Sequence, residues 1–114
     1  MAYKIVSMEF IETPTFTRLL LGLLSDDEYA DLQSALAENP GQGDLIQAGG
    51  GIRKLRFALP GRGKSGGVRV IYYWVKSKHE VYMLLIYPKS KKDDLTDKET
   101  AILRDFVKGL AKEA

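Results

Sequence analysis

The chain has 114 residues, 45% of them apolar, with 17 Lys/Arg against 15 Asp/Glu, no cysteine and one histidine. That length reads as a single domain, residues 1–114, with enough apolar material for a core. The missing cysteines exclude a disulfide framework and a thiolate metal site, and His79 alone argues against a zinc hydrolase or a serine–histidine pair.

Tyr3–Phe10 is expected as a strand, because Tyr3 and Ile5 alternate with Lys4, Val6 and Met8 around β-branched residues. Pro14 suits the first turn of a short helix reaching about Leu21, with Thr13 as N-cap and Gly22 as its stop. Ser25-Asp26-Asp27-Glu28 is a capping box for a second helix to about Glu38, with Tyr29, Leu32, Ala35 and Leu36 as its core stripe. Residues 41–51 are expected as a loop, and Gly49-Gly50-Gly51 gives it backbone freedom. Ile52–Leu59 follows as a strand that places Leu55, Phe57 and Leu59 on one face and Lys54, Arg56 and Ala58 on the other. Pro60–Gly67 is a basic loop. Val68–Val75 and Glu80–Tyr87 are apolar on both faces, as central strands are, and Lys76-Ser77-Lys78-His79 joins them as a hairpin. Thr96-Asp97-Lys98-Glu99 is a second capping box. It opens a last helix with an apolar stripe of Ile102, Leu103, Phe106, Val107 and Leu110. The fold class is therefore α+β: one N-terminal strand, two helices, a three-stranded antiparallel meander and a C-terminal helix.

Charge is strongly segregated. Residues 53–92 carry eleven Lys/Arg and one carboxylate, Glu80, a balance of +10; the remaining residues balance at −8. Like charges at this density repel one another, and a polyanion relieves the repulsion, so phosphate is the expected partner. The GKS in GRGKSGG invites a P-loop reading, but the first glycine is missing at the required spacing and a strand, not a helix, follows. Tyr72 and Trp74 share a face with Val68 and Val70 and read as core. Tyr73 shares the Arg69 face, where it can pack or stack on a base.

Three stretches in this order, GDLIQAGGGIRKLRFA, GRGKSGGVRVIYYW and MLLIYPKSKKDDLT, resemble the RelE/HigB superfamily of toxins from type II toxin–antitoxin systems, and its HigB-like branch in particular. The resemblance runs from about residue 3 to the last helix. It implies a RelE-like fold and a metal-independent, cofactor-free endoribonuclease that cleaves translated mRNA in the ribosomal decoding site. The nucleophile would be the RNA's own 2′-OH, leaving a cyclic phosphate and a 5′-OH. Such chemistry needs a base, cations for the phosphorane charge and an acid. By resemblance Lys54 is the candidate base or proton relay, Arg56 a phosphate clamp, and Arg69 the stabiliser of the pentavalent phosphate. Solvated strand charge remains the alternative for Lys54 and Arg56, and a salt bridge to a helix carboxylate for Arg69. The chain departs from RelE at the end of the fourth strand. Where RelE has an arginine after the lysine and a tyrosine a few residues on, this chain has Lys89-Ser90 and Leu95-Thr96. The remaining roles fall to Lys89 or Lys91, with Tyr87 as a stacking or proton-bearing ring or simply a core ring. Arg53, Arg62, Lys64, Tyr73, Lys91 and Lys92 are the candidate RNA-binding residues. The implied partners are the ribosome and mRNA and a HigA-like helix-turn-helix antitoxin, with operator DNA reached only through that antitoxin. A ParE-like toxin acting on DNA gyrase and a non-catalytic RNA-binding module are the alternatives. No apolar run approaches the roughly 20 residues of a membrane span, and the opening MAYKIVSMEF is unlike a secretory signal. The expected setting is the cytoplasm, with no membrane partner.

Overall fold

The computed structural model describes residues 7–61 and 66–113. In chain order these form β1 (Glu9–Glu12), α1 (Pro14–Leu20), α2 (Asp26–Glu38), β2 (Asp44–Leu45), β3 (Arg53–Phe57), β4 (Val68–Val75), β5 (Glu80–Pro88) and α3 (Asp97–Glu113). Among the described residues the strands make one five-stranded sheet in the order β1-β5-β4-β3-β2. The expected β3-β4-β5 meander is its centre, and its two apolar strands are internal, as their composition requires.

Two additions flank the meander. β1 lies parallel to β5, with Glu9 opposite Glu80 and Glu12 opposite Met83. Its residues overlap the expected Tyr3–Phe10 strand only at Glu9 and Phe10; residues 1–6 lie outside the described region. The strand extends to Glu12, whose carboxylate accepts from the Thr17 hydroxyl at 2.6 Å and the Tyr29 hydroxyl at 2.7 Å. Burial, with Glu12 beside it, raises the Tyr29 phenol well above its ordinary range and keeps it a donor. On the other edge, two residues of the expected loop pair with β3, Asp44 opposite Lys54 and Leu45 opposite Arg53. Gly43 makes this approach possible: a Cβ there would meet the Tyr72 ring at 2.8 Å. Its N–H donates to the Tyr72 hydroxyl at 2.9 Å, which donates onward to the Pro40 carbonyl at 2.7 Å.

Both capping boxes form. Ser25 accepts from the Glu28 N–H while Glu28 accepts from the Ser25 N–H, and Thr96 and Glu99 do the same for α3. Thr13 caps α1 by accepting from the Phe16 N–H at 3.1 Å, and its hydroxyl donates to the Leu84 carbonyl at 2.8 Å. Leu84 is the extra residue of a bulge on β5, where pairing steps from Ile71–Leu85 to Tyr72–Met83. The cap of one helix thus uses a carbonyl at the irregularity of the sheet.

Both sheet faces are covered. α1 and α2 bury Phe16, Leu32 and Leu36 against Val70, Tyr72 and Met83 on one face. α3 sets Val107, with Leu103 and Leu110, against Ile52, Ile71 and Leu84 on the other. The expected α3 stripe is therefore too wide by two residues: Ile102 and Phe106 stay 58% and 45% exposed at its flank. The alternative of a solvated strand charge at Lys54 needs a larger correction. α3 and the segment leading into it cover its face of the sheet, and Lys54 and Arg69 are buried, at 7% and 6% exposure.

Candidate functional site

The register of the meander builds the site. Arg56 on β3 lies directly opposite Arg69 on β4, and Arg69 directly opposite Tyr87 on β5, so the three form a row across the sheet. Lys54 stands two residues along β3 on the same face. Like charges directly opposite one another destabilise a sheet, so the Arg56–Arg69 pair requires a counter-ion.

The counter-ions come from the segment between β5 and α3. Asp93 Oδ1 accepts from Arg69 Nε at 2.8 Å and lies 2.7 Å from its Nη2. Its Oδ2 is 3.9 Å from both Arg56 Nη2 and Lys54 Nζ. Asp94 pairs with Lys54, and Asp44 of β2 pairs with Arg56 at 2.8 Å. The Asp93 main-chain carbonyl accepts from Lys54 Nζ at 3.2 Å and from the Tyr87 hydroxyl at 3.3 Å. The hydrogen bond from Arg69 is the main cause that holds the Asp93 carboxyl below its ordinary value, with Lys54 and Arg56 adding to it. Burial, then the charges of Asp94, Asp93 and Glu99, push the Tyr87 phenol up to about 12, so it carries its proton at neutral pH.

The structure brings together Lys54, Arg56, Arg69 and Tyr87. Lys92 joins them indirectly, 5.0 Å from the Tyr87 ring centroid and 2.6 Å from the Glu99 carboxylate. Lys89 and Lys91 are exposed on the turn after β5, where the Lys89 N–H closes onto the Gly67 carbonyl. Arg53 faces the other way: its Nη1 donates to the Gly41 and Gly43 carbonyls at 3.0 and 2.8 Å, which clamps β2 onto β3. Tyr73 is half-buried among the residues under α3 and packs at Gly51. Arg62 and Lys64 lie outside the described residues. Arg69 has a carboxylate partner, as the alternative reading expected, but from the loop before α3 rather than from a helix. Asp44, Asp93 and Asp94 were absent from the expected site. The available signal was the abrupt Asp93-Asp94 that ends the basic stretch at Lys92.

Beside the row, a cleft of about 420 Å³ is bounded by Lys54, Arg56, Asp44, Asp94 and Leu95. No group of three or more His, Cys, Asp or Glu among the described residues is placed to hold a metal ion. Two guanidinium groups and an ammonium converging on one point can hold a tetrahedral oxyanion, since each guanidinium offers a fixed fork of donors.

The fold is thus a mixed sheet that carries a cationic row on its α3 face. The family model for the RelE toxin of the RelE/RelB toxin–antitoxin system matches residues 12–114, all but the first eleven, and the chain belongs to that family. It is thus the toxin of a toxin–antitoxin pair, with an antitoxin as its partner. No helix among the described residues is long and apolar enough to cross a membrane.

Proposed function

We propose that this toxin is a ribosome-dependent endoribonuclease that cleaves translated mRNA in the decoding site and so arrests growth. The observation that carries the reading is the convergence of Lys54, Arg56 and Arg69 on a single anionic group, the Asp93 carboxylate. A phosphodiester brings the same single charge to the same donors.

In this mechanism the RNA 2′-oxygen attacks the adjacent phosphorus, the bond to the 5′-oxygen breaks, and a 2′,3′-cyclic phosphate and a 5′-OH result. Arg69 and Arg56 hold the non-bridging oxygens and stabilise the charge that grows on them in the phosphorane. Lys54 relays the proton leaving the 2′-OH to water. Tyr87, whose raised pKa keeps its hydroxyl protonated at neutral pH, gives that proton to the departing 5′-oxygen. Lys89, Lys91 and Lys92 grip the flanking backbone. The ribosome supplies the in-line geometry, which lowers what the side chains must contribute. The cations supply the charge stabilisation that a metal ion supplies in other nucleases. The partner that silences the toxin is, on this reading, a HigA-like antitoxin in the cytoplasm.

Incubating the protein with translating ribosomes and mapping new mRNA 5′ ends tests the proposal. Ends that appear only on translated messages, and persist when a chelator is added and the ribosome's own magnesium restored, support it. Growth arrest without new ends favours a gyrase-directed or purely RNA-binding toxin.

A further inference from the structure

We infer that Asp93 and Asp94 form an autoinhibitory plug: their carboxylates occupy the phosphodiester site of the free toxin, and RNA must displace them to reach Lys54, Arg56 and Arg69. The inference rests on the ribonuclease reading and adds to it how the site is kept closed.

Three observations carry it. The first is competition for the same donors. One Asp93 oxygen takes both Arg69 Nε and Nη2, at 2.8 and 2.7 Å, which is the way a guanidinium fork holds a phosphate oxygen. The other oxygen stands 3.9 Å from both remaining cations. A phosphate cannot hold Arg69 in this way while Asp93 does.

The second is an asymmetry of burial. The side chains of Lys54 and Arg69 are 8% and 7% exposed, whereas those of Asp93 and Asp94 are 52% and 77% exposed. Lys54 and Arg69 are fixed beneath the cluster on internal strands, while Arg56 is as exposed as Asp93, at 51% against 52%, and the carboxylates sit on the outside. Incoming RNA therefore meets Arg56 and the carboxylates before Lys54 and Arg69. Ion pairs with such exposed partners contribute little stability, so they can be exchanged for a better anion.

The third is mechanical. The segment is tied at both ends, by the Lys89 N–H to the Gly67 carbonyl and by the Thr96–Glu99 capping box. Between these ties the Lys91 N–H donates to the Pro88 carbonyl and Lys92 holds Glu99, so displacement of the plug falls on residues 93–95. Because the Asp93 carbonyl also accepts from Lys54 Nζ and the Tyr87 hydroxyl, withdrawing this one residue frees Arg69 and Tyr87 together and takes one partner each from Lys54 and Arg56, which keep Asp94 and Asp44. A loosely held RNA displaces such a plug poorly; an RNA fixed in place by the ribosome displaces it well.

The test uses the full chain and a short RNA with a 2′-O-methyl group on every sugar, which lacks the attacking 2′-OH and cannot be cleaved. Its affinity is measured by fluorescence anisotropy, off the ribosome. The Asp93→Asn/Asp94→Asn variant is expected to bind about tenfold more tightly than wild type, the order of one charge-assisted contact. The same charge change on α2, Asp26→Asn/Asp27→Asn, is expected to change affinity by less than about twofold, because exposed charges beyond a Debye length are screened. In wild type, saturating oligonucleotide is expected to speed amide exchange in residues 93–95. Equal or weaker binding by Asp93→Asn/Asp94→Asn, or slower or unchanged exchange in that segment, overturns the plug while leaving the phosphate site intact, provided Arg69→Ala still weakens binding. Binding indifferent to Arg69→Ala overturns the site itself, and the plug with it.

Discussion

Arg69 is the residue on which the site turns. It stands in the middle of the Arg56–Arg69–Tyr87 row, nearly excluded from solvent, and its guanidinium makes the shortest contacts with Asp93. Arg69→Ala is expected to lower ribosome-dependent cleavage by about 10²–10³-fold, the loss typical of one donor to a developing oxyanion. It also leaves a buried gap and frees Asp93 to water, so urea unfolding should show a destabilisation of about 1–3 kcal/mol. Arg69→Lys should restore stability better than rate, because an ammonium cannot fork onto two oxygens. Tyr87→Phe separates packing from chemistry. The ring stays, one 3.3 Å hydrogen bond is lost, and a stability change below about 1 kcal/mol should accompany a clear fall in single-turnover cleavage. Unchanged cleavage by Tyr87→Phe would leave the phenol as a core ring.

At the scale of elements, the site depends on two joints. One is the start of α3. Thr96 and Glu99 cap each other, and Glu99 also accepts from Lys92 at 2.6 and 2.7 Å. Thr96→Ala should cost about 1 kcal/mol in thermal or urea unfolding and loosen the segment that carries Asp93. The other is β2, held by Gly43 against Tyr72. Gly43→Ala forces a Cβ to within 2.8 Å of that ring and 3.1 Å of the Lys54 carbonyl. It should destabilise by about 1–3 kcal/mol and withdraw Asp44 from Arg56. These elements also show where sequence reading succeeds. Capping boxes are local, four residues long and self-contained, so Ser25–Glu28 and Thr96–Glu99 are legible as written. The double-sided apolar runs of β4 and β5 declare internal strands. The parallel β1–β5 pairing and the two-residue β2 are not legible. Each is fixed by contacts distant in sequence, Glu12 with Tyr29 and Gly43 with Tyr72. The same holds for the site. Lys54, Arg56, Arg69 and Tyr87 follow from strand alternation and the RelE resemblance, whereas Asp93 and Asp94 reach them only through the turn after β5.

For the whole molecule, the basic stretch of the sequence is not one surface. Arg69 is the second residue of β4 and Lys76 follows its end, which separates them by roughly 23 Å at strand rise. The hairpin lysines Lys76 and Lys78 are therefore remote from the row, and carboxylates neutralise the cations within it. Asp93 in the row and Glu99 beside it also add to the acid sensitivity of the fold. Arg69 holds the Asp93 carboxyl below its ordinary 3.8, and Lys92 holds Glu99 below its ordinary 4.5. Both pKa values are depressed in the folded chain, so the unfolded chain binds more protons below about pH 4.5. The stability these groups contribute is present above that pH and is lost as pH falls through the folded values. Urea midpoints should drop between pH 6 and pH 3, and drop less in Asp93→Asn/Glu99→Gln; an equal drop would place the acid sensitivity elsewhere. The central claim is that this family member works as a nuclease through its cationic row. The most direct measurement is single-turnover cleavage of mRNA on programmed ribosomes, by wild type and by Arg69→Ala at equal concentration, with the new 5′ ends mapped. Wild type should cut within the decoding site and leave 5′-OH ends, and Arg69→Ala should be slower by about 10²–10³-fold. Equal rates for the two proteins, or cleavage of free RNA as fast as ribosome-bound RNA, would contradict the account.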